Sequence, residues 1–425
     1  MYMPKENHNC VSNVSRPLAI GLLCVHLLLS FAYADNIKTV EVAQPSHYLD
    51  AIDLVEADQG AYSEQLSDLY LSLGRAFIVQ KDFQNAKQAF EQGMQIERIN
   101  NGLYSLSQRP YLLSIADTES YLGNWKQSRK ALDNLYFINR QTHGNNSSKL
   151  IPVLDEILNW FLKTYDQRTT SGGYENLIVA ERIGETIDAI LTSDANADPL
   201  EKAKQYKKIA SLHYLLADHI REHGDKNNSG VTFSTGETSM NNQSLTSSHL
   251  HYQRGKRALE KVVAALVTQE TNNHQQQALA IAQLGDWYLI FGQKQAAQRT
   301  YKLAFDSLTN DSLTEENPPQ KLAPPLFDNP TLIKFSIEEF TGEPAKEETN
   351  SLTLNEKTIE VSLTISYLGR VSNVEVFNTE QDITDKQLAN LRRNLRKARY
   401  RPKIVDGVTV DSVHSEFFQA SILER

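Results

Sequence analysis

One spacing recurs at opposite ends of the middle of this chain, and it limits the fold more than any other feature. The first copy runs Tyr70, Leu73-Gly74 and Phe77, then Lys81-Asp82-Phe83, Ala86, Phe90 and Gly93. The second runs Ile281, Leu284-Gly285 and Tyr288, then Gly292-Gln293-Lys294, Ala297, Tyr301 and Ala304. A weaker copy reads Leu112, Ile115-Ala116, Gly123-Asn124-Trp125, Leu132 and Leu135. Small residues at Gly74, Gly285, Ala86 and Ala297 let two helices approach closely. The large Phe77, Phe90, Tyr288 and Tyr301 fill the groove that this opens. One such hairpin cannot bury its own apolar face, so neighbours must stack.

The spacing resembles the tetratricopeptide repeat (TPR), which implies an array of helix hairpins from about Tyr62 to Leu308. Between the clear copies the pattern is degenerate. Ile151 to Tyr165 with Tyr174 to Leu191 reads as one pair around a Ser171-Gly172-Gly173 turn. Glu201 to His223 with His251 to Thr268 reads as another. Residues 224–248 are rich in Asn, Ser, Thr and Gly, too polar to bury a core, and read as a disordered insertion.

The first 34 residues differ in kind. Lys5 and Arg16 precede an apolar run from Leu18 to Phe31 that exits through Ala32-Tyr33-Ala34 into Asp35-Asn36. A basic flank, an apolar segment and a small-x-small exit make a secretory signal, cleaved after Ala34. The alternative is an uncleaved inner-membrane anchor facing the periplasm, although Leu18 to Ala34 is short for a span and contains His26. Leu23 before Cys24 argues against lipid attachment. Both cysteines of the chain, Cys10 and Cys24, lie in this leader. The remainder therefore offers neither a disulfide nor a thiolate site.

After the last repeat, Asn317-Pro318-Pro319 and Ala323-Pro324-Pro325 mark a linker over residues 317–350. From Lys357 the apolar period changes to two. Ile359, Val361, Leu363, Ile365 and Tyr367 line one strand face, and Leu368-Gly369 makes a turn into a strand with Val371, Val374, Val376 and Phe377. Thr384 or Asp385 caps a helix whose stripe is Leu388, Leu391, Leu395 and Ala398. Asp406-Gly407 turns the chain into a last strand running from Val408 through Val413 and Phe417. The expected fold class is thus mainly α, a TPR-like array over residues 35–316, followed by a small α+β domain of β-β-α-β order over 351–425.

Gly369-Arg370-Val371-Ser372-Asn373-Val374, Ala398-Arg399-Tyr400-Arg401-Pro402 and Asp406-Gly407-Val408-Thr409-Val410 resemble the C-terminal domain of the TonB family. The resemblance implies a periplasmic domain that adds a strand of its sheet to a peptide of an outer-membrane receptor. It departs from that family in its short spacer and its preceding repeat array.

Candidate partner-binding residues are the basic Arg392, Arg393, Arg396, Lys397, Arg399 and Arg401, with Val410, Val413 and Phe417 on the last strand. The basic run suits an anionic wall polymer, lipid surface or acidic protein face, set against the plainer reading of a solvated helix face. A net charge of −9 disfavours nucleic acid as a partner. His213, His219, His223, His249 and His251 cluster in sequence, and His219 and His223 lie one helical turn apart. No Glu follows His219 directly, so the metalloprotease spacing is missing and surface histidines are the expectation. Trp125, Trp160 and Trp287 are expected to be packing residues. No phosphate loop, nucleophile elbow or Cys–His pair is present, and no cofactor or metal is expected. The sequence therefore points to a non-catalytic adaptor binding other envelope proteins, among them an outer-membrane receptor or a TonB-system motor. The anchored energy transducer is the alternative.

Overall fold

The computed structural model describes residues 44–167, 173–223, 243–267, 274–309, 325–335, 358–377 and 384–419. The leader with its two cysteines, Ser171-Gly172 and most of the polar insertion lie outside these residues. No described helix is long and apolar enough to cross a membrane. The chain divides into two compact units, Met1–Leu135 and Tyr136–Arg425.

The first unit contains α1 (Pro45–Gln59), α2 (Glu64–Val79), α3 (Phe83–Asn101), α4 (Arg109–Tyr121) and the start of α5 (Trp125–His143). Helix α1 lies within the residues expected for the array but before Tyr62, where the clear helical pattern begins. Its Ile52 is buried with Leu66, Leu73, Ala89 and Ile96 of α2 and α3, and Tyr48 and Val55 pack beside it. The α2–α3 hairpin is close-packed as its small residues require. A Cβ on Gly74 would sit 2.3 Å from the Phe90 ring, and one on Gly93 would sit 2.6 Å from Tyr111. Asp82 caps α3, its carboxylate accepting from the Asn85 backbone N–H at 3.3 Å.

The second unit continues through α6 (Ile151–Gln167), α7 (Gly173–Ser193), α8 (Pro199–His223), α9 (Gln243–Val267), α10 (His274–Ile290) and α11 (Lys294–Thr309). Gln243 to Ser248 are helical, so the insertion expected over 224–248 is shorter at that end. Trp287 is fully buried and Trp160 is in the core, as packing residues should be. A Cβ on Gly255 would lie 2.2 Å from the Trp287 ring, so glycine makes room for the indole. Trp287 donates its ring N–H to the Tyr252 carbonyl at 3.2 Å.

All three recognisable hairpins close on the same left-handed turn residue: Lys81 (φ 61°), Gly123 (φ 76°) and Gly292 (φ 76°). In each, the next backbone N–H reaches back to the preceding helix: Asp82 to Phe77 O, Asn124 to Glu119 O and Gln293 to Tyr288 O, at 2.8–2.9 Å. This is the Schellman closure, which satisfies the orphan carbonyls of a helix end.

The C-terminal part comprises α12 (Pro325–Asp328), β1 (Thr331–Leu332), β2 (Thr358–Ile365), β3 (Val371–Phe377) and α13 (Asp385–Lys397). After them come β4 (Tyr400–Arg401), β5 (Lys403–Val405), β6 (Val408–Val410) and β7 (Ser412–Gln419). The main sheet is antiparallel in the order β3-β2-β7. Its inner face, Ile359, Val361, Leu363 and Ile365 with Val371 and Val374, packs on Leu391 and Leu395 of α13. The expected β-β-α-β order holds for these elements, with additions. Val371 and Val374, three apart, both face inward because the β2–β3 register shifts at Thr364/Ile365. Thr384 caps α13 in a full capping box with Gln387.

Three expectations need correction. Residues 325–335, placed within the linker, are structured. Phe327 is fully buried, and β1 pairs with β4 through Thr331–Arg401 and Leu332–Tyr400. The expected last strand breaks at Asp411, because the β5–β6 hairpin forms its own small ladder before β7 begins. Tyr367 leaves the inner strand face and is exposed in the turn, where its backbone N–H donates to the Asp411 carboxylate at 2.6 Å.

Candidate binding surface

The C-terminal module lies directly on the α10–α11 hairpin. Ile404 of β5 and Phe327 of α12 enter the same buried cluster as Ile281, Leu289, Tyr301 and Phe305. Two turns fit against the helices. Gly407 (φ 79°) follows Asp406 (φ 50°), and a Cβ there would lie 3.3 Å from Lys302 of α11. Gly369 (φ 67°) is tighter still: a Cβ there would lie 2.0 Å from the Tyr400 carbonyl oxygen and 2.8 Å from Leu289 of α10. Only glycine serves at Gly369, on both conformational and steric grounds.

A polar network crosses the same junction. Arg401 is 4% exposed and grips Asp286 of α10 with two parallel bonds, Nε to Oδ1 at 3.0 Å and Nη2 to Oδ2 at 2.5 Å. Tyr301 of α11 donates its hydroxyl to Asp286 Oδ1 at 2.9 Å. Burial and the adjacent Asp286 carboxylate hold the Tyr301 hydroxyl neutral, raising its pKa well above the usual value. A buried guanidinium with a bidentate carboxylate is satisfied, but it would be costly to break from either side.

Arg401 is therefore withdrawn as a partner-binding residue: its charge is spent inside the protein. Arg399 is half-buried, donating to the Lys397 and Ala398 carbonyls at 3.3 and 3.1 Å. Burial, then the nearby Arg370 and Arg221, lower its pKa. Arg392, Arg393, Arg396 and Lys397 are exposed along α13. Val410 belongs to β6, where it pairs with Lys403, and is not on the candidate edge strand.

Val413 and Phe417 are exposed on the outer face of the module's sheet. Both lie on β7, which has β2 on one side and no described strand on the other. Val413 is 69% exposed and Phe417 50% exposed. They oppose Thr364 and Glu360 of β2, whose side chains alternate with the buried Ile359, Val361, Leu363 and Ile365. Phe417, Glu360 and the exposed Phe377 of β3 form one row across the sheet. The basic face of α13 and the apolar face of β7 thus sit on opposite sides of the sheet, so they are two surfaces rather than one.

Asp286 was not recognisable as a site residue in the sequence. The signal was a departure inside the repeat: Asp286 stands where the first copy has exposed Arg75, and Tyr301 where it has Phe90.

No protein-family model matches the chain, and no curated protein matches it in sequence. Among solved structures, a kinesin light chain of Podosopora anserina with nearly identical TPR-like repeats is similar. It has 15% identity and a TM-score of 0.35, over 59% of this chain and 99% of that one. BtubC (BKLC) from P. vanneervenii is similar at 13% identity and a TM-score of 0.32, over 66% and 94%. The description of the array therefore rests on its own hairpins and turns.

Proposed function

We propose that this chain is a non-catalytic adaptor of the bacterial cell envelope, exported to the periplasm and mature from Asp35. Its helix-hairpin array supplies a scaffold of TPR-like kind, and its C-terminal module, TonB-like in motif order, captures an extended peptide of another envelope protein. The observation that carries this reading is β7. It is an edge strand among the described residues, with Val413 and Phe417 exposed on the face away from the module's core. An edge of this kind can accept a further strand, the backbone supplying affinity and alternate side chains supplying choice. The anchored energy transducer has less support, because the described module is seated on α10 and α11 by Arg401 and follows a repeat array.

The test is photocrosslinking in cells from positions 413 and 417, with position 405 on β5 as a control, combined with sequencing of the mature N-terminus. The reading expects a discrete adduct from 413 and 417, absent from 405, and a start at Asp35. Equal labelling from all three positions would sink the strand-capture idea, and a retained leader in the membrane fraction would sink the periplasmic one.

A further inference from the structure

Three helices of the second unit bring together a group that lies away from the proposed binding surface. His213 of α8 and His251 of α9 are each 4% exposed, and their Nδ1 atoms face one another at 3.3 Å. Glu181 of α7 closes a triangle, its Oε1 lying 3.5 Å from His251 Nδ1 and 3.9 Å from His213 Nδ1. The sequence offered His219 and His223 as the pair to watch, one turn apart on one helix. The fold instead joins His213 to His251 across two helices and adds a carboxylate from a third.

We propose that Glu181, His213 and His251 form a binding site for a divalent transition-metal ion of the Zn²⁺ class. Ligand atoms about 2.0–2.1 Å from a tetrahedral zinc stand about 3.3–3.4 Å from one another. Two sides of the triangle already have that length within 0.2 Å, and the third needs a small side-chain adjustment. Two imidazoles and one carboxylate are donors that this class of ion accepts. With two neutral rings facing each other through Nδ1, only one of those nitrogens can carry the proton between them. Holding the ion takes both rings as the Nε2–H tautomer, so that each Nδ1 offers a lone pair.

Arg254 is the counter-argument to meet, since its guanidinium already donates to Glu181 Oε1 at 2.7 Å. It also donates to Glu185 Oε1 at 2.8 Å, so it keeps a carboxylate partner when Glu181 turns to the metal. A cavity of about 160 Å³ is lined by Glu181, His213 and Arg254. It leaves room for a fourth, exchangeable ligand, as in sites with three protein donors.

The experiment uses the full mature chain, first stripped with chelator and then titrated with Zn²⁺ against a chromogenic competitor and with Co²⁺ by visible absorption. The expected result is one saturable equivalent and the intense ligand-field band of tetrahedral Co²⁺. His213→Asn and His251→Asn should each weaken Zn²⁺ binding by more than about 100-fold, beyond what loss of a supporting residue does. Glu181→Gln should change the Co²⁺ band while leaving helicity intact. His223→Gln/His249→Gln, which removes two exposed imidazoles, should leave the stoichiometry at one. The wild-type Co²⁺ spectrum decides the matter even if a variant fails to fold. No saturable binding, a weak octahedral band, or loss of the equivalent only in His223→Gln/His249→Gln would overturn the site.

Discussion

The first and last recognisable hairpins share one packing rule and put it to different uses. In α2–α3, Gly74 receives the Phe90 ring, and Arg75 beside it points to solvent. In α10–α11, Gly285 receives the Tyr301 ring in the same way, a Cβ there lying 2.6 Å from it. The ring now carries a hydroxyl, and the neighbouring position is a buried Asp286 that holds Arg401 of the C-terminal module. Two substitutions within the repeat thus turn an ordinary hairpin into a seat for a second structure. A repeat array can acquire a docking site without changing its backbone, by placing charge where the repeat tolerates any residue.

The largest expected effect separates the two hairpins outright. Asp286→Ala leaves a buried guanidinium unpaired and should cost about 3 to 5 kcal/mol in chemical denaturation, whereas Arg75→Ala should stay within about 0.5 kcal/mol. A loss for Asp286→Ala as small as that for Arg75→Ala would erase the distinction. The shared rule gives the next effect. Gly74→Ala and Gly285→Ala each force a methyl into an aromatic ring and should each cost about 1 to 3 kcal/mol. Phe90→Leu should recover part of the first and leave the second unchanged, since its clash is with Tyr301.

The packing rule and most of the module were legible in the sequence, because they rest on local signals: small residues at fixed spacing, a two-residue alternation, glycine at left-handed turns. Helix α1 lies within the expected array, but the helical pattern was legible only from about Tyr62, as Tyr48, Ile52 and Val55 form a sparse stripe in a polar helix. The seat was missed for a different reason. Asp286 and Arg401 are 115 positions apart, and each reads alone as a solvent-facing charge. Arg401 also sat in a run of mostly exposed basic residues, which hid that it points inward. The histidines were read as surface residues, but His213, His219 and His251 are buried, and only the fold brings His213 and His251 together. Nothing local to Glu181 marked it as their neighbour.

Alkaline pH extends the comparison. Burial pushes the Tyr111 hydroxyl, in the first unit, up to about 12. A raised folded-state pKa gives stability that is complete below the unfolded value near 10 and is lost as pH rises towards 12. At pH 11 the loss from Tyr111 should be about 1 kcal/mol, and Tyr111→Phe should remove that part of the pH dependence. An unchanged slope between pH 9 and 11 in the variant would refute it. The smallest effect lies at the turn where the first hairpin departs from glycine. Lys81 adopts φ 61° where Gly292 serves the last hairpin, so Lys81→Gly should raise stability by up to about 1 kcal/mol in thermal unfolding. The same substitution would destabilise if Lys81 were at ease there.

The central claim is that the last hairpin holds the C-terminal module through Asp286 and Arg401, leaving β7 presented outward. A double-mutant cycle tests it most directly, with Asp286→Leu, Arg401→Met and the pair compared by chemical denaturation of the full chain. Each single change should be strongly destabilising, and the pair should recover most of the loss. The predicted coupling is at least about 1.5 kcal/mol. Additive losses, with no recovery in the pair, would contradict the account.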